Sequence, residues 1–476
     1  MFDVAVIGCG VVGTLLAREL TKYNVKVCML EKENDVAMGA TKANSGIVHA
    51  GFDAVPGTLK AKFNVEGCRI MPHLCKTLGV KYKNNGSLVI GFDDGDIKHI
   101  GELYERGVKN GVKNMEILDK EGVHKLEPNL SKEVKGALYA KDAGIVCPYG
   151  LAIAAAGNAM DNGAHLLLNF EVSAISYDGK AYTLKSKGGD SVRASYVINS
   201  AGIYSDEIAK MSGDDTIRVR ARRGEYMILD KDCGKMFERT IFRTPTKAGK
   251  GILISPTVDG NIILGPTSEY IDDKDDKSTS PEGLMLVAQE TLKNAPTVPI
   301  RNVITSFTGL RSVGETGDFI IKETAKNFIS LCGIESPGLT ASPAIAKYIV
   351  RLLQKKYGLT KEKNSNFCGK RKAYYRFSEM TPVQKNRIIK QNPDFGTIIC
   401  RCEGISKGEI IEALTVNPPA NDLDGVKRRT RSGMGRCQGG FCSTAIVEII
   451  SSIKGIPFEE VTKSGNGSVI NFERTK

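Results

Sequence analysis

A chain of 476 residues is long enough for two or three domains, each with its own core. Hydrophobic residues at 41% and charged residues at 25% exclude a disordered or fibrous chain, and no apolar run approaches the roughly 18–20 residues of a membrane span. The net charge of +12 raises the question of nucleic acid, but the basic residues are spread along the chain without a nucleic-acid motif, so the excess reads as a basic protein with small anionic ligands. Twelve cysteines fit a reducing cytoplasm. The N-terminus reads at once as a strand (FDVAVIG, with an acid at Asp3), so neither a signal nor a transit peptide is expected.

The first predicted strand, residues 2–7, alternates around apolar positions and ends at Gly8-Cys9-Gly10-Val11-Val12-Gly13. A helical stretch follows (VVGTLLARELTKY), then a second strand, VKVCMLE, ending at Glu31. Strand, glycine turn, helix and strand is the order a dinucleotide-binding fingerprint requires. Gly8 allows the tight turn, Gly10 lets the backbone approach a pyrophosphate seated on the helix N-terminus, and Gly13 allows close helix–strand packing. Glu31, 18 residues past the last glycine, can accept from ribose hydroxyls.

Glu31-Lys32 leads into a small-residue loop, GATKANSGIVHAGFD (39–53). It resembles the second flavin-contacting loop of the D-amino-acid oxidase / glycerol-3-phosphate dehydrogenase superfamily, a loop that NAD dehydrogenases lack. The resemblance continues in order through DAGIVCPYGLAIAAAGNAMDNGAHL (142–166), YVINSAGIYSDEIA (196–209) and GIESPGLTASPAIAKYIVRLL (333–353), so it covers essentially the whole chain. It implies FAD as cofactor. The residues it places at the flavin are Lys32, Thr41, Asn44, Ser45 and Gly46, then Val172, then Ala201 and Gly202. Gly338, Leu339 and Thr340 would begin a final helix whose positive end stabilises negative charge on the reduced isoalloxazine.

Between these segments, RVRARRGEYMIL (218–229), KGILISPTVDGNIILGPT (250–267) and VITSFTGLRSVGETGDFII (303–321) predict a strand-rich cap. The last resembles the superfamily's strand carrying an arginine over the flavin, here Arg311. Oxidising a secondary alcohol needs a base for the hydroxyl proton, a flavin N5 to accept hydride and a cation to hold the substrate's anionic group. Arg311 is the expected anion clamp, because a guanidinium forks onto carboxylate or phosphate oxygens. The alternative is a structural arginine paired with Asp318 or Glu315. His49 is the expected base, since histidine titrates near neutral pH; the alternative is a histidine that only hydrogen-bonds the flavin or packs there. Tyr226 is a candidate to line the pocket, and Arg223 and Lys250 are candidate phosphate contacts.

After a basic linker come two tight cysteine pairs, Cys400-Arg-Cys402 and, within GMGRCQGGFC, Cys437 and Cys442. Four soft thiolates from two loops suit an iron–sulfur cluster. A Cys-x-Cys pair is too short for most zinc ribbons; zinc and a disulfide pair stand as alternatives. The flanking text, ICRCEGISKGEIIEAL and GVKRRTRSGMGRCQGGFCS, resembles the small 2Fe–2S domain of bacterioferritin-associated ferredoxin. The basic run VKRRTRSGMGR (426–436) beside it offsets the cluster's charge or docks an acidic partner.

The expected fold is therefore α/β: a Rossmann-type FAD-binding domain (1–80, 140–215, 320–356) with a β-rich substrate cap (81–139, 216–319), which together make residues 1–356. A basic linker (357–395), a small, mainly helical 2Fe–2S domain (396–455) and a polar, partly loose tail (456–476) follow. The combination resembles the catalytic-subunit family of anaerobic glycerol-3-phosphate dehydrogenase. That resemblance implies oxidation of glycerol 3-phosphate to dihydroxyacetone phosphate. Electrons then pass through the cluster to an acceptor protein or quinone-linked subunit, with the chain cytoplasmic and at the membrane only through that partner. The loop at 39–53 and the RGEY stretch are also close to the L-2-hydroxyglutarate dehydrogenase pattern, so a 2-hydroxy acid is the alternative substrate. An amine-oxidising relative and a pure electron relay that turns over no alcohol are further alternatives.

Overall fold

The computed structural model describes residues 1–244 and 251–473. Among the described residues two large sheets, a small three-stranded sheet (Ile47–Val48, Gly144–Val146 and Tyr82–Lys83) and a C-terminal unit carry the fold. In the first sheet Phe2–Ile7 lies at the centre, parallel to Val27–Leu30 on one side and to Ser191–Asn199 on the other. Phe328–Cys332 extends it, again parallel to Ser191–Asn199. Val4, Ala5, Val6 and Ile7 are all buried. The expected alternation around apolar positions gives way to burial on both faces, because a central strand of a covered sheet has no solvent side. The helices Val11–Leu20, Pro148–Asp161 and Gly338–Tyr357 cover the face of Val4 and Val6 through Leu15, Leu16, Ile153, Ile345 and Ile349, while Ala5 and Ile7 pack with Phe170, Leu184 and Ile208.

Two glycines of the first turn are dictated by backbone. Gly8 has φ +92, and a Cβ there would stand 2.6 Å from the Ser200 carbonyl oxygen. A Cβ on Gly13 would stand 2.0 Å from the Gly8 carbonyl oxygen, so only glycine lets the helix lie this close to the strand.

The second sheet has nine strands drawn from residues 87–140 and 219–314. Its longest pairing joins Val219–Leu229 to Val303–Gly314, antiparallel, with Arg222 opposite Arg311 and Gly224 opposite Gly309. In the C-terminal unit a short hairpin, Ile398–Cys400 with Ile405–Ser406, precedes helices Lys407–Thr415, Leu423–Thr430 and Ser443–Lys454. Their common core is built on Ile410, Leu414, Val426, Ile446, Val447 and Ile450.

The segment read as a linker is folded. Pro382 is the first residue of helix Pro382–Gln391, where its missing N–H costs nothing and Thr381 and Gln384 form a capping box. Phe377, Ile388 and Phe395 give this stretch a core of its own. The tail is anchored too: Val461 is fully buried in the C-terminal core, and Thr462 bridges to Val469.

Candidate active site and metal centre

A cavity of about 1080 Å³ opens between the two sheets. One wall is the glycine turn. The Cys9 N–H donates to Glu31 Oε2 (2.7 Å), and the Glu33 N–H donates to Glu31 Oε1 (3.1 Å). The helix Val11–Leu20 has no side-chain cap of its own at Gly10. Thr41 supplies one from the distant loop, accepting from the Val11 N–H at 2.9 Å. Gly8, Gly10, Glu31, Lys32 and Thr41 all line the cavity, the Lys32 ammonium lying 4.0 Å from the Tyr204 ring centroid. Asn44 and Ser45 also face it. The Asn44 side chain is occupied within its own loop, donating to the Ala40 and Thr41 carbonyls and accepting from the Gly46 N–H. Val172, Ala201, Gly202, Gly338 and Leu339 complete this wall.

Three expected cofactor residues stand behind the wall. Gly13 packs helix on strand. The Gly46 carbonyl accepts from the Val146 N–H. Thr340 is fully buried; its hydroxyl accepts from the His49 N–H (3.0 Å) and donates to the Ile47 carbonyl (3.3 Å), tying the final helix to the loop carrying His49.

Burial pushes the Glu31 carboxyl up to about 7, against the two backbone N–H groups that hold it. Its unfolded value is about 4.3. Glu31 therefore stabilises the cofactor-free fold below that value, and the contribution is lost as pH rises through about 7. Ribose hydroxyls donating to the carboxylate would favour its ionised form. FAD binding is thus expected to release a proton and to tighten as pH is raised through about 7. Flavin-fluorescence titrations at several pH values check this; in Glu31→Gln the pH dependence should vanish and binding should be at least about tenfold weaker.

The opposite wall carries the charge. The Arg311 Nη2 donates to the Thr267 carbonyl (2.6 Å), and its buried Nε finds no acceptor among the described residues. Neither Asp318 nor Glu315 pairs with it. Asp318 instead accepts from the Leu59 and Lys60 N–H groups, at 2.8 and 2.9 Å, at the start of helix Leu59–Leu78. A Cβ on Gly224 would stand 2.8 Å from Arg311 Nη2, so the glycine leaves room for the guanidinium.

Directly across the strand pair, Arg222 lines the same cavity and binds Glu335 at 2.5 Å; Lys60 holds the other oxygen of Glu335 at 2.8 Å. Arg222, Lys60 and Glu335 were not singled out from the sequence. The signal was there for Arg222, since a strand period of two places it on the face of Tyr226, which lines the cavity. Arg223 is corrected by the same rule. It points to the other face and is paired with Glu269 (2.6 Å) and Asp276 (3.0 Å). Lys250 lies outside the described residues. His49 faces the cavity with its ring stacked on Phe242 at 5.7 Å, and the Asn64 amide holds its carbonyl at 2.8 Å.

In the C-terminal unit the four cysteines converge from two loops as free thiols. Cys402 Sγ and Cys437 Sγ are 3.5 Å apart. The Cys442 thiol donates to Cys400, and with the N–H groups of Gly433 and Glu403 it draws the Cys400 thiol down to about 6 against burial. Backbone N–H groups of Gly439 and Phe441 point at Cys437. Sulfur ligands ringed by N–H donors fit an anionic iron–sulfur cluster. A Cβ on Gly435 would stand 2.4 Å from the Cys402 Cβ, so the loops meet only with glycine there. Cys400 and Cys442 are buried while Cys402 is exposed, so one edge of the site reaches solvent beside Phe441, 90% exposed.

The arginines of the basic run 426–436 are engaged within this chain. Arg428 and Arg429 bind Asp35, Arg431 binds Asp259 and Glu403, and Arg436 binds Asp230 and Asp232.

Residues 3–352 match the family model for FAD dependent oxidoreductases. The chain belongs to that family. Residues 398–452 match the BFD-like 2Fe–2S binding domain. The cofactors of the chain are thus FAD and a 2Fe–2S cluster, which removes zinc as the alternative. A curated relative, the glycerol 3-phosphate dehydrogenase of Caloramator mitchellensis, is 46% identical over 100% of this FAD oxidoreductase chain and 99% of its own. A solved structure of L-alpha-glycerophosphate oxidase from Mycoplasma pneumoniae with FAD bound superposes with TM-score 0.74 at 31% identity, covering 78% of this chain and 98% of that one. The human mitochondrial L-2-hydroxyglutarate dehydrogenase is 32% identical, over 56% of this chain and 61% of its own. No helix among the described residues is long and apolar enough to cross a membrane.

Proposed function

We propose that this protein is a glycerol-3-phosphate dehydrogenase that yields dihydroxyacetone phosphate. The observation that carries the reading is the cross-strand pair Arg222 and Arg311 with Lys60 beside them, where among the described residues Glu335 is the carboxylate paired with Arg222 and Lys60. That excess of positive charge suits a phosphate dianion, and two guanidinium forks fix its orientation. The dehydrogenase relative matched along the entire chain supports phosphate over carboxylate. FAD, when bound, supplies the acceptor for the carbinol C–H hydrogen and its electron pair, and the cluster supplies a one-electron exit.

The residues of the chain do the rest. Arg311 and Arg222 hold the phosphate, so the carbinol end is directed to the wall formed by Gly338 and Leu339. His49 accepts the hydroxyl proton at its ring nitrogen as the carbonyl forms. Phe242 and Tyr226 keep water from the reacting carbon. Cys400, Cys402, Cys437 and Cys442 would hold the cluster, and the exposed Cys402 and Phe441 leave that side of the domain open to an acceptor protein or a quinone-linked subunit.

Glycerol tests the clamp, because it lacks only the anion. kcat/KM for glycerol is expected to be lower by about 10³-fold or more than for glycerol 3-phosphate, since binding energy from the remote phosphate orients the reacting end. Comparable values would remove the anion clamp. The second reading, a 2-hydroxy acid held by carboxylate on the same arginines, is favoured only by the partial likeness to L-2-hydroxyglutarate dehydrogenases.

A further inference from the structure

The loop between Glu31 and Thr41 closes over the glycine turn like a clasp. Glu31 accepts from the Cys9 N–H, the Ala37 N–H donates to the Cys9 carbonyl at 2.9 Å, and Thr41 accepts from the Val11 N–H. Its middle is strained: Ala37 has φ +65, a left-handed conformation that a residue with a Cβ adopts at a cost. Something must hold it there.

Asp35, two residues earlier, is 3% exposed. Its Oδ2 accepts from Arg428 Nη2 (2.6 Å) and Arg429 Nη1 (2.8 Å), and its Oδ1 accepts from Arg429 Nη2 (2.9 Å) and the Val36 N–H (2.8 Å). Both arginines sit on helix Leu423–Thr430 of the 2Fe–2S domain, and both are buried. Asn34 also bonds Asp422, the N-cap of that helix. A buried carboxylate with two buried guanidinium partners is a register device: removing one partner leaves uncompensated charge inside the protein.

We propose that the docked 2Fe–2S domain holds the FAD-binding loop in its closed form, through Asp35 with Arg428 and Arg429, so that the two cofactor sites are thermodynamically coupled. Asp35 is a positioning residue that touches neither cofactor site directly. The coupling depends on FAD binding alone and is independent of the substrate. It is reciprocal by necessity: if docking favours FAD, FAD favours docking.

The experiment uses full-length protein. In Asp35→Asn, the dissociation constant for FAD, read by flavin fluorescence, is expected to rise at least about tenfold. Cluster absorbance and the rate of flavin reduction at saturating FAD should be unchanged. Hydrogen exchange should quicken at amides 33–41 but not in strand Phe2–Ile7. Adding FAD should slow exchange in helix Leu423–Thr430 of the wild-type chain and not in the variant. FAD affinity within about twofold of wild type would overturn the coupling. Should Asp35→Asn fail to fold, Arg428→Gln leaves the Arg429 fork in place; it is expected to weaken FAD by about threefold or more, Arg428→Lys should restore most of the loss, and an unchanged affinity overturns the proposal equally.

Discussion

Replacing Arg311 with lysine is expected to raise the KM for the anionic substrate by about 30- to 1000-fold, with FAD content unchanged. The magnitude follows from losing a charged hydrogen-bonding group in a desolvated site, about 2–4 kcal/mol. A lysine keeps the charge but not the fork, and its ammonium cannot at once reach the Thr267 carbonyl and chelate two phosphate oxygens. Arg222→Met should act in the same direction and also leave Glu335 without its guanidinium partner. Glu335, still held by Lys60, would then keep its negative charge beside the substrate and repel it, so the double variant should be worse than Arg311→Lys but less than additive, because both residues grip one group. A KM rise with little change in kcat would show uniform binding of ground and transition states; equal losses in kcat and kcat/KM would show that the clamp also orients the C–H bond. Unchanged kinetics in Arg311→Lys would take the residue out of the site.

Replacing Cys437 with serine is expected to abolish the cluster's visible absorbance while sparing reduction of the flavin by substrate. Cys437 belongs to the outer sulfur pair with Cys402, whereas Cys400 and Cys442 lie in the domain core. The variant should therefore keep its fold better than Cys442→Ser. Anaerobic single-turnover reduction should stay within about twofold of wild type, while steady-state transfer to an external acceptor falls about a hundredfold or more. Loss of flavin reduction as well would mean that the cluster does not lie downstream of the flavin.

The glycine turn and Glu31 were legible in the sequence because backbone geometry leaves few choices there. A Cβ at Gly8 or Gly13 meets main-chain atoms within 2.6 Å. The cysteine quartet was legible for a similar reason, since few chemistries need that spacing. Facing was harder. Arg222 and Arg223 are adjacent, and only the pairing of Val219–Leu229 with Val303–Gly314 decides which one meets Arg311. Long-range partners were invisible: nothing near Arg428 and Arg429 in the chain names Asp35, nearly 400 residues away, as their acid. The helix inside the segment expected as a linker (357–395) was hidden because the locked φ of Pro382, which breaks a helix interior, also starts one. Thr340 sits where a flavin contact was expected, but its hydroxyl is committed to the backbone of the His49 loop.

The most direct measurement is an anaerobic absorbance titration of cluster-loaded, FAD-replete protein, first with glycerol 3-phosphate and then, on a fresh sample, with L-2-hydroxyglutarate. Glycerol 3-phosphate is expected to bleach the flavin band stoichiometrically, with the hydroxy acid leaving it unchanged. Bleaching by L-2-hydroxyglutarate alone, or by neither compound, would contradict the assignment of glycerol 3-phosphate as substrate.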